Sequence, residues 1–315
     1  MRHPRNAATL VALVVALGLT LTAASGAAAP ERLVVRVLVI TMFDAETAPW
    51  LQHESLPVTM QVPYVSQPLH CSADGLCVAT IGEGKSNAVA SMTSLLDDPG
   101  LDFHSAYFLT AGIAGTSPST GTLGFAAWAR WVVDWDLGHH LEPGSAPGVP
   151  HGYLPYADQH TNVFHLNDKL VDEAFDLTKG LALSDSPEAV QDRGHYPGQA
   201  ARKPFTTVCD TVTGDDYWAG AELSKTAQYV VGVWTDNKGK YCTSQMEDSG
   251  TATVLARHGY LDRYLDLRTA SDFDQPYPGQ DIRDLLSQFP GADPAVRNAY
   301  LVGSTVAHHL LGHPR

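Results

Sequence analysis

One α/β domain around a central mixed sheet is the fold class that the sequence predicts, and three observations predict it. Arg32-Leu-Val-Val-Arg-Val-Leu-Val-Ile40 is apolar almost throughout, the pattern of a strand covered on both faces. Strand-like runs then alternate with helical patterns along the chain, the order expected of an α/β fold. No linker or internal repeat interrupts that alternation, so residues 30–315 read as one domain, although 315 residues would also suffice for two small ones.

Taken in order, the first strand ends at Thr41-Met-Phe-Asp-Ala-Glu46. Asp44 and Glu46 therefore stand where ligands gather in α/β folds, or cap the helix that follows. Gly75–Ile81 predicts a second strand, which passes through a glycine turn into a helix ending near Leu96. Gly84-Lys85-Ser86 resembles a phosphate loop, but Ala79 occupies the place of that motif's first glycine, which argues against a nucleoside-triphosphate site. Ala106–Thr110 predicts a short strand that runs into Ala111-Gly-Ile-Ala-Gly115, where glycines permit close backbone approach. Gly124–Val133 is a further strand, and Asp134–His160 is a long irregular segment rich in Pro, Gly and His.

Helical spacing covers Leu166–Ala182, and a second helix starts at Ser186. The strand Pro204–Val212 meets Thr213-Gly-Asp-Asp-Tyr-Trp218. There Asp215, Tyr217 and Trp218 either flank a planar ring or serve as a helix cap and core aromatics. The β-branched and aromatic run Tyr229–Thr235 precedes Tyr241–Ala256, in which Glu247 and Asp248 mark a helix start favoured by the helix dipole. Leu255–Leu267 reads as helical or mixed, and a final helix spans roughly Asp293 to Leu311. The histidines, among them His139, His140, His308 and His309, lack the spacing of metal ligands, and no cofactor is expected.

A net charge of −14 argues against nucleic acid or anionic lipid as a partner. Arg2 and Arg5 precede the apolar run Ala8–Leu17 and the small residues Ala23–Ala29, the order of a secretory leader with cleavage expected near Ala29. An uncleaved anchor is the alternative for that stretch; no later apolar run approaches spanning length. Four cysteines in an exported chain suit two disulfides: Cys71 with Cys77 across a turn, and Cys209 with Cys242.

Ser244-Gln-Met-Glu247, followed about two dozen residues later by Ser271-Asp272, resembles the signature of the purine nucleoside phosphorylase superfamily. Gly214-Asp-Asp-Tyr-Trp218, Gln245-Met-Glu-Asp-Ser-Gly250 and Ser271-Asp-Phe-Asp-Gln-Pro276 are most similar to its purine nucleoside permease group, over nearly the whole mature chain. The resemblance implies a three-layer α/β/α sandwich of nucleoside phosphorylase type and a purine nucleoside ligand, with a homo-oligomer left open. It implies that Met246 packs beneath the ribose and Glu247 holds its hydroxyls, while Ser271 orients Asp272 toward the purine. Tyr217, Trp218 and Asp215 would line the base, and Ala111 and Gly112 belong to a glycine turn beside the ligand.

Cleavage of an N-glycosidic bond needs a proton for the departing base, a role that falls to Asp272. The phosphate-binding Arg expected after the first strand in hexameric phosphorylases is absent: between Thr41 and Ala129 there is no Arg, and only Lys85. Asp44-Ala-Glu46 instead resembles the adenosylhomocysteine/methylthioadenosine nucleosidases, where a Glu activates water. The expectation is an exported purine-nucleoside N-ribohydrolase with Glu46 as general base. Its rivals are a non-catalytic nucleoside-binding protein that supports uptake, and a phosphorylase in which Arg130 meets the anion.

Overall fold

The computed structural model describes residues 32–142 and 144–313, so the leader expected at residues 1–29 lies outside the described residues. Sixteen strands and seven α-helices follow one another along them. The strands of the first half are β1 (Leu33–Val34), β2 (Val37–Thr41), β3 (Val58–Met60), β4 (Leu69–Cys71), β5 (Leu76–Thr80), β6 (Leu101–Asp102), β7 (Tyr107–Thr116), β8 (Ala126–Trp128) and β9 (Trp131–Asp134). Then come β10 (Gly138–His140), β11 (Tyr153–Pro155), β12 (Val163–His165), β13 (Thr206–Val208), β14 (Asp210–Thr213), β15 (Tyr241–Gln245) and β16 (Tyr264–Phe273). The helices are α1 (Asp44–His53), α2 (Lys85–Leu96), α3 (Asp168–Thr178), α4 (Pro187–Arg193), α5 (Ala221–Trp234), α6 (Asp248–Arg257) and α7 (Ala292–Gly312).

Twelve of the strands form one mixed sheet, whose main path runs β12-β9-β14-β15-β7-β2-β5-β4-β3. β7 is its spine. Residues 107–110 pair in parallel with β2, residues 115–116 pair antiparallel with β15, and the opposite edge carries β16 in parallel along nearly its whole length. Helices cover both faces, giving the three-layer arrangement expected, with α7 packed along β16 and β7 and α2 packed on α6. All five residues of β2 and all ten of β16 are buried, as strands covered on two sides require. In α7 the buried Ala295, Ala299, Val302, Val306 and Leu310 recur at three- and four-residue intervals, the stripe that seats it on the sheet.

Several local expectations are corrected. Residues 264–267, read as helical or mixed, begin β16, because its polar Asp266, Arg268, Thr269, Ser271 and Asp272 are buried with the apolar ones and erase any strand alternation. The β-branched and aromatic run Tyr229–Thr235, assigned to no element from sequence, belongs almost wholly to helix α5, in which Ala227, Val230 and Val231 meet the core at helical spacing. Gly124–Val133 divides into β8 and β9, and the segment 134–160 carries the antiparallel pair β10–β11.

Both expected disulfides are present: Cys71–Cys77 ties β4 to β5, and Cys209–Cys242 joins the start of β14 to β15. No helix among the described residues is long and apolar enough to cross a membrane. Loop closure sets an order between the bridges, since the second spans 33 residues and the first 6. Loss of Cys209–Cys242 through paired alanine substitutions should cost about 3–4 kcal/mol of unfolding free energy, some 1.5 kcal/mol more than loss of Cys71–Cys77. Urea denaturation of the two double variants measures the difference.

Candidate active site

A cavity of about 400 Å³ opens where the carboxyl ends of several strands converge. Met42, Phe43 and Glu46 follow β2, Ile113, Ala114 and Gly115 lie on β7, and Ser244–Glu247 close β15. Arg268, Ser271 and Asp272 come from β16, and Tyr217 and Trp218 from the loop after β14. The volume suits a small organic ligand.

Glu46 sits in the first turn of α1 and is buried, with each carboxylate oxygen held by one backbone N–H. Met42 N donates to Oε2 and Ile113 N to Oε1, both at 2.7 Å. Burial pushes its pKa up to about 7, against the lowering effects of the Arg268 guanidinium and the two N–H donors. Gly112 makes this approach of β7 feasible. A Cβ at that position would lie 2.1 Å from Met42 Cε and 2.9 Å from both Glu46 Oε1 and Arg268 Nη1.

Glu247 is the N-cap residue of α6 and is buried. Gly84 N donates to its Oε1 at 2.9 Å, and Arg268 Nη2 donates to Oε2 at 2.9 Å. Its pKa is raised by burial in spite of Arg268. Asp248, read from sequence as an acid at a helix start, does open α6, and it is also the principal partner of Arg268. Nε donates to its Oδ2 at 2.8 Å and Nη2 to its Oδ1 at 2.6 Å, a two-point grip on a buried guanidinium.

Asp272 lies at the end of β16 with Ser271 Oγ 2.6 Å from Oδ1 and the Tyr217 hydroxyl 3.1 Å from Oδ2. Burial pushes its pKa up to about 6, against both hydroxyl bonds. The Tyr217 hydroxyl also lies 2.9 Å from Leu285 O, which holds the ring at the cavity although the residue is 43% exposed. Trp218 is buried and stacks on Trp135 at 5.3 Å between ring centroids. Gly291 N donates to Ser271 O, and a Cβ on Gly291 would come within 2.7 Å of that oxygen, so only a glycine lets the chain of Phe289 and Ala292 close over β16.

Glu46, Tyr217, Trp218, Met246, Glu247, Ser271 and Asp272 therefore face one cavity. Three other residues expected at the ligand do not line it. Asp215 is exposed and accepts from Lys85 N at 2.6 Å, capping α2 rather than the helix that follows it in sequence. Ala111 is buried inside β7, and Gly112 lies behind the wall. Arg130 is occupied elsewhere by Asp168 and Asp172.

Sequence reading missed Arg268 and Asp274 as members of the cavity wall. Arg268 stands four residues before Asp272 on β16, and its conjunction with the acids at 247 and 248 was the available signal. Asp274 also lines the cavity, is buried, and has a pKa pushed up to about 7 by burial against hydroxyl bonds from Ser224 and Tyr241.

These carboxyls make stability fall with pH. Glu46, Asp272 and Asp274 release protons in the folded state at about 7, 6 and 7, against ordinary values of 4.5, 3.8 and 3.8. Between those limits the unfolded chain holds fewer protons than the folded one, so their contribution is complete below about pH 4 and is lost as pH rises through 7. The melting temperature should fall between pH 5 and pH 8, and less steeply in Glu46→Gln and Asp274→Asn; scanning calorimetry at the two pH values measures it.

A family profile described as purine nucleoside permease matches residues 34–314. A probable purine nucleoside permease of Schizosaccharomyces pombe is 31% identical over 96% of this chain and 97% of its own length. The purine nucleoside permease of Candida albicans is 29% identical over 88% of this chain and 75% of its own. Among solved structures, the futalosine hydrolase of Helicobacter pylori aligns with a TM-score of 0.58 at 15% identity, covering 87% of this chain and 98% of that one. The methylthioadenosine/adenosylhomocysteine nucleosidase of Neisseria meningitidis aligns with 0.56 at 16% identity, covering 87% and 99%. At such identities these two establish a shared fold.

Proposed function

The chain belongs to the purine nucleoside permease family, and from that premise we propose that it is an exported N-ribohydrolase that cleaves purine nucleosides to free base and ribose. The observation that carries this reading is the pairing of Glu46 and Asp272, two buried carboxyls with raised pKa values in one cavity, beside a cation already committed to two acids. Hydrolysis requires one group to take a proton from water and another to give one to the base. A phosphorolytic site requires free cations for the phosphate. Among the described residues that line the cavity, Arg268 is the one Lys or Arg, against the acids Glu46, Glu83, Asp216, Glu247, Asp272 and Asp274.

In this reading Glu46 accepts a proton from water as the water attacks the anomeric carbon. The C–N bond breaks as Asp272, in its acid form, delivers its proton to the purine, which leaves neutral. Glu247 keeps free lone pairs beyond those taken by Gly84 N and Arg268, and these accept hydrogen bonds from the ribose hydroxyls. Met246 packs against the sugar and Tyr217 and Trp218 against the base. An acidic wall also favours the positive charge that develops on the ribose at the transition state. The names of the relatives support a second reading, a binding protein that delivers nucleosides for uptake. Export rests on the leader pattern at residues 1–29 and on the two disulfides.

Incubation of the mature protein with adenosine, inosine and guanosine, with and without phosphate, tests the proposal. Free base and ribose without phosphate are expected; ribose 1-phosphate formed only with phosphate would replace hydrolysis by phosphorolysis, and saturable binding without turnover would leave a receptor. Asp272→Asn and Glu46→Gln should each lower kcat by about 10²–10⁴, and unchanged turnover in either removes that residue from its role.

The pH profile is a separate test. The productive form needs Glu46 ionised and Asp272 protonated, and their values of about 7 and about 6 stand in the reverse order. A plot of kcat/KM against pH should be a bell centred near pH ~6.5. A plateau from pH 6 to 9 would contradict the assignment of the two protons.

A further inference from the structure

Residues 281–290 join β16 to α7 and contribute Phe289 to the cavity wall. Their own bonds are local: Asp281 caps the 3-10 turn Ile282–Leu286 through Arg283 N, and Ser287 N and Gln288 N both donate to Asp284 O. Ile282, Leu286 and Phe289 are exposed, and Leu285 alone of the segment's apolar side chains Ile282, Leu285, Leu286 and Phe289 is buried. Beyond the local set, one hydrogen bond among the described residues ties the segment to the rest of the chain, from the Tyr217 hydroxyl to Leu285 O at 2.9 Å. A stretch with so few buried contacts belongs to the least stable part of a fold and opens locally.

The same hydroxyl lies 3.1 Å from Asp272 Oδ2. A phenol carries one hydrogen and donates one bond. Burial, and next the charge of Asp272, raises the pKa of Tyr217, so that hydrogen stays on the ring oxygen. Two acceptors compete for it, and the charge on Asp272 decides between them. A bond to an ionised carboxylate is about twice as strong as one to a neutral carbonyl.

We propose that Tyr217 is a hydrogen switch that latches residues 281–290 while Asp272 is protonated and releases them once Asp272 has given its proton away. With Asp272 in its acid form, Tyr217 donates to Leu285 O. Transfer of the acid proton to the departing purine leaves a carboxylate, which draws the Tyr217 hydrogen to Oδ2. Leu285 O then lacks a donor, and the segment moves outward to find one in water. Ser271, the other hydroxyl on Asp272, sends no such signal, because its second acceptor is Ala114 O inside β7. The cavity thus opens at the step where the products leave. This rests on the reading above, in which Asp272 supplies the proton to the base.

Hydrogen exchange of the ligand-free mature protein tests the switch, read as protection factors for residues 281–290 against those of β7, so that intrinsic rates and global stability divide out. The comparison is made at pH 5 and pH 8, on either side of the Asp272 value of about 6. Wild-type protection of the segment should fall by about fivefold or more at pH 8. Asp272→Asn copies the acid form, with its amide NH2 toward Tyr217, and should hold the pH 5 level at both values. Tyr217→Phe should show the low level at both.

Other groups here also titrate or carry charge. Asp192, Asp274, Tyr196 and Tyr241 surround Asp272, Asp216 adjoins Tyr217, His195 stacks on Tyr277, and the segment holds Asp281, Arg283 and Asp284. Asp272→Asn leaves all of them in place, so a pH step that survives in that variant is theirs and overturns the proposal. Equal wild-type protection at the two pH values, or full pH 5 protection in Tyr217→Phe, overturns it as well. Turnover without a pH step removes the switch alone, whereas a pH step without turnover keeps the switch and removes the hydrolase reading.

Discussion

The buried guanidinium of Arg268 is the interaction on which the rest of the site depends. It projects from the middle of β16 and is held by Asp248 through two bonds, by Glu247 through a third and by Ile113 O through a fourth at 2.9 Å. One side chain thus ties the end of β15, the start of α6, β7 and β16 around the mouth of the cavity. Removal of a single partner from such a cluster leaves an uncompensated buried charge, which typically costs about 3–5 kcal/mol. The cluster accordingly specifies one arrangement of Glu247 and Glu46. Asp266, buried on the same strand with its Oδ1 3.9 Å from Arg268 Nε, has a pKa raised well above the ordinary carboxyl range, chiefly by burial and next by Asp248.

Charge then explains how the acids of the site differ. Arg268 balances Asp248 and Glu247, so carboxyls beyond its immediate reach carry the cost of burial themselves. Asp272 lies farther along β16 and Asp274 just past its end, where hydroxyls rather than cations offset that cost. A hydroxyl stabilises an ionised carboxyl less than a guanidinium does, and both acids are left with pKa values near neutrality. Groups so placed exchange protons at physiological pH, which is the requirement for acid and base roles.

Much of the fold was legible in the sequence. The apolar run that became β2, the glycine turn into α2 and the last helix were each carried by local patterns of burial and period. The disulfide pairs and the acids at 46, 247 and 272 were legible too, the acids through motifs that resemble a known family. β16 was not, because a strand that buries its own ion pairs has neither an apolar run nor an alternation. Asp215 was misplaced for a related reason: a capping acid looks the same whether it serves the next helix or one 130 residues earlier in the chain.

The sequence by itself therefore determined the class of fold, the family and the types of residue available for the chemistry. Only the tertiary structure decided which of them meet. The pairing of β16 with β7 brings residues more than 150 positions apart into register and sets Arg268 beside Ile113, while the turn after β2 delivers Glu46 to the same wall. Local patterns record whether a residue is buried and on which face of its element; they do not record which distant element lies opposite. That opposition fixes the desolvation and the neighbours of each carboxyl, and so raises the pKa values of Glu46, Asp272 and Asp274.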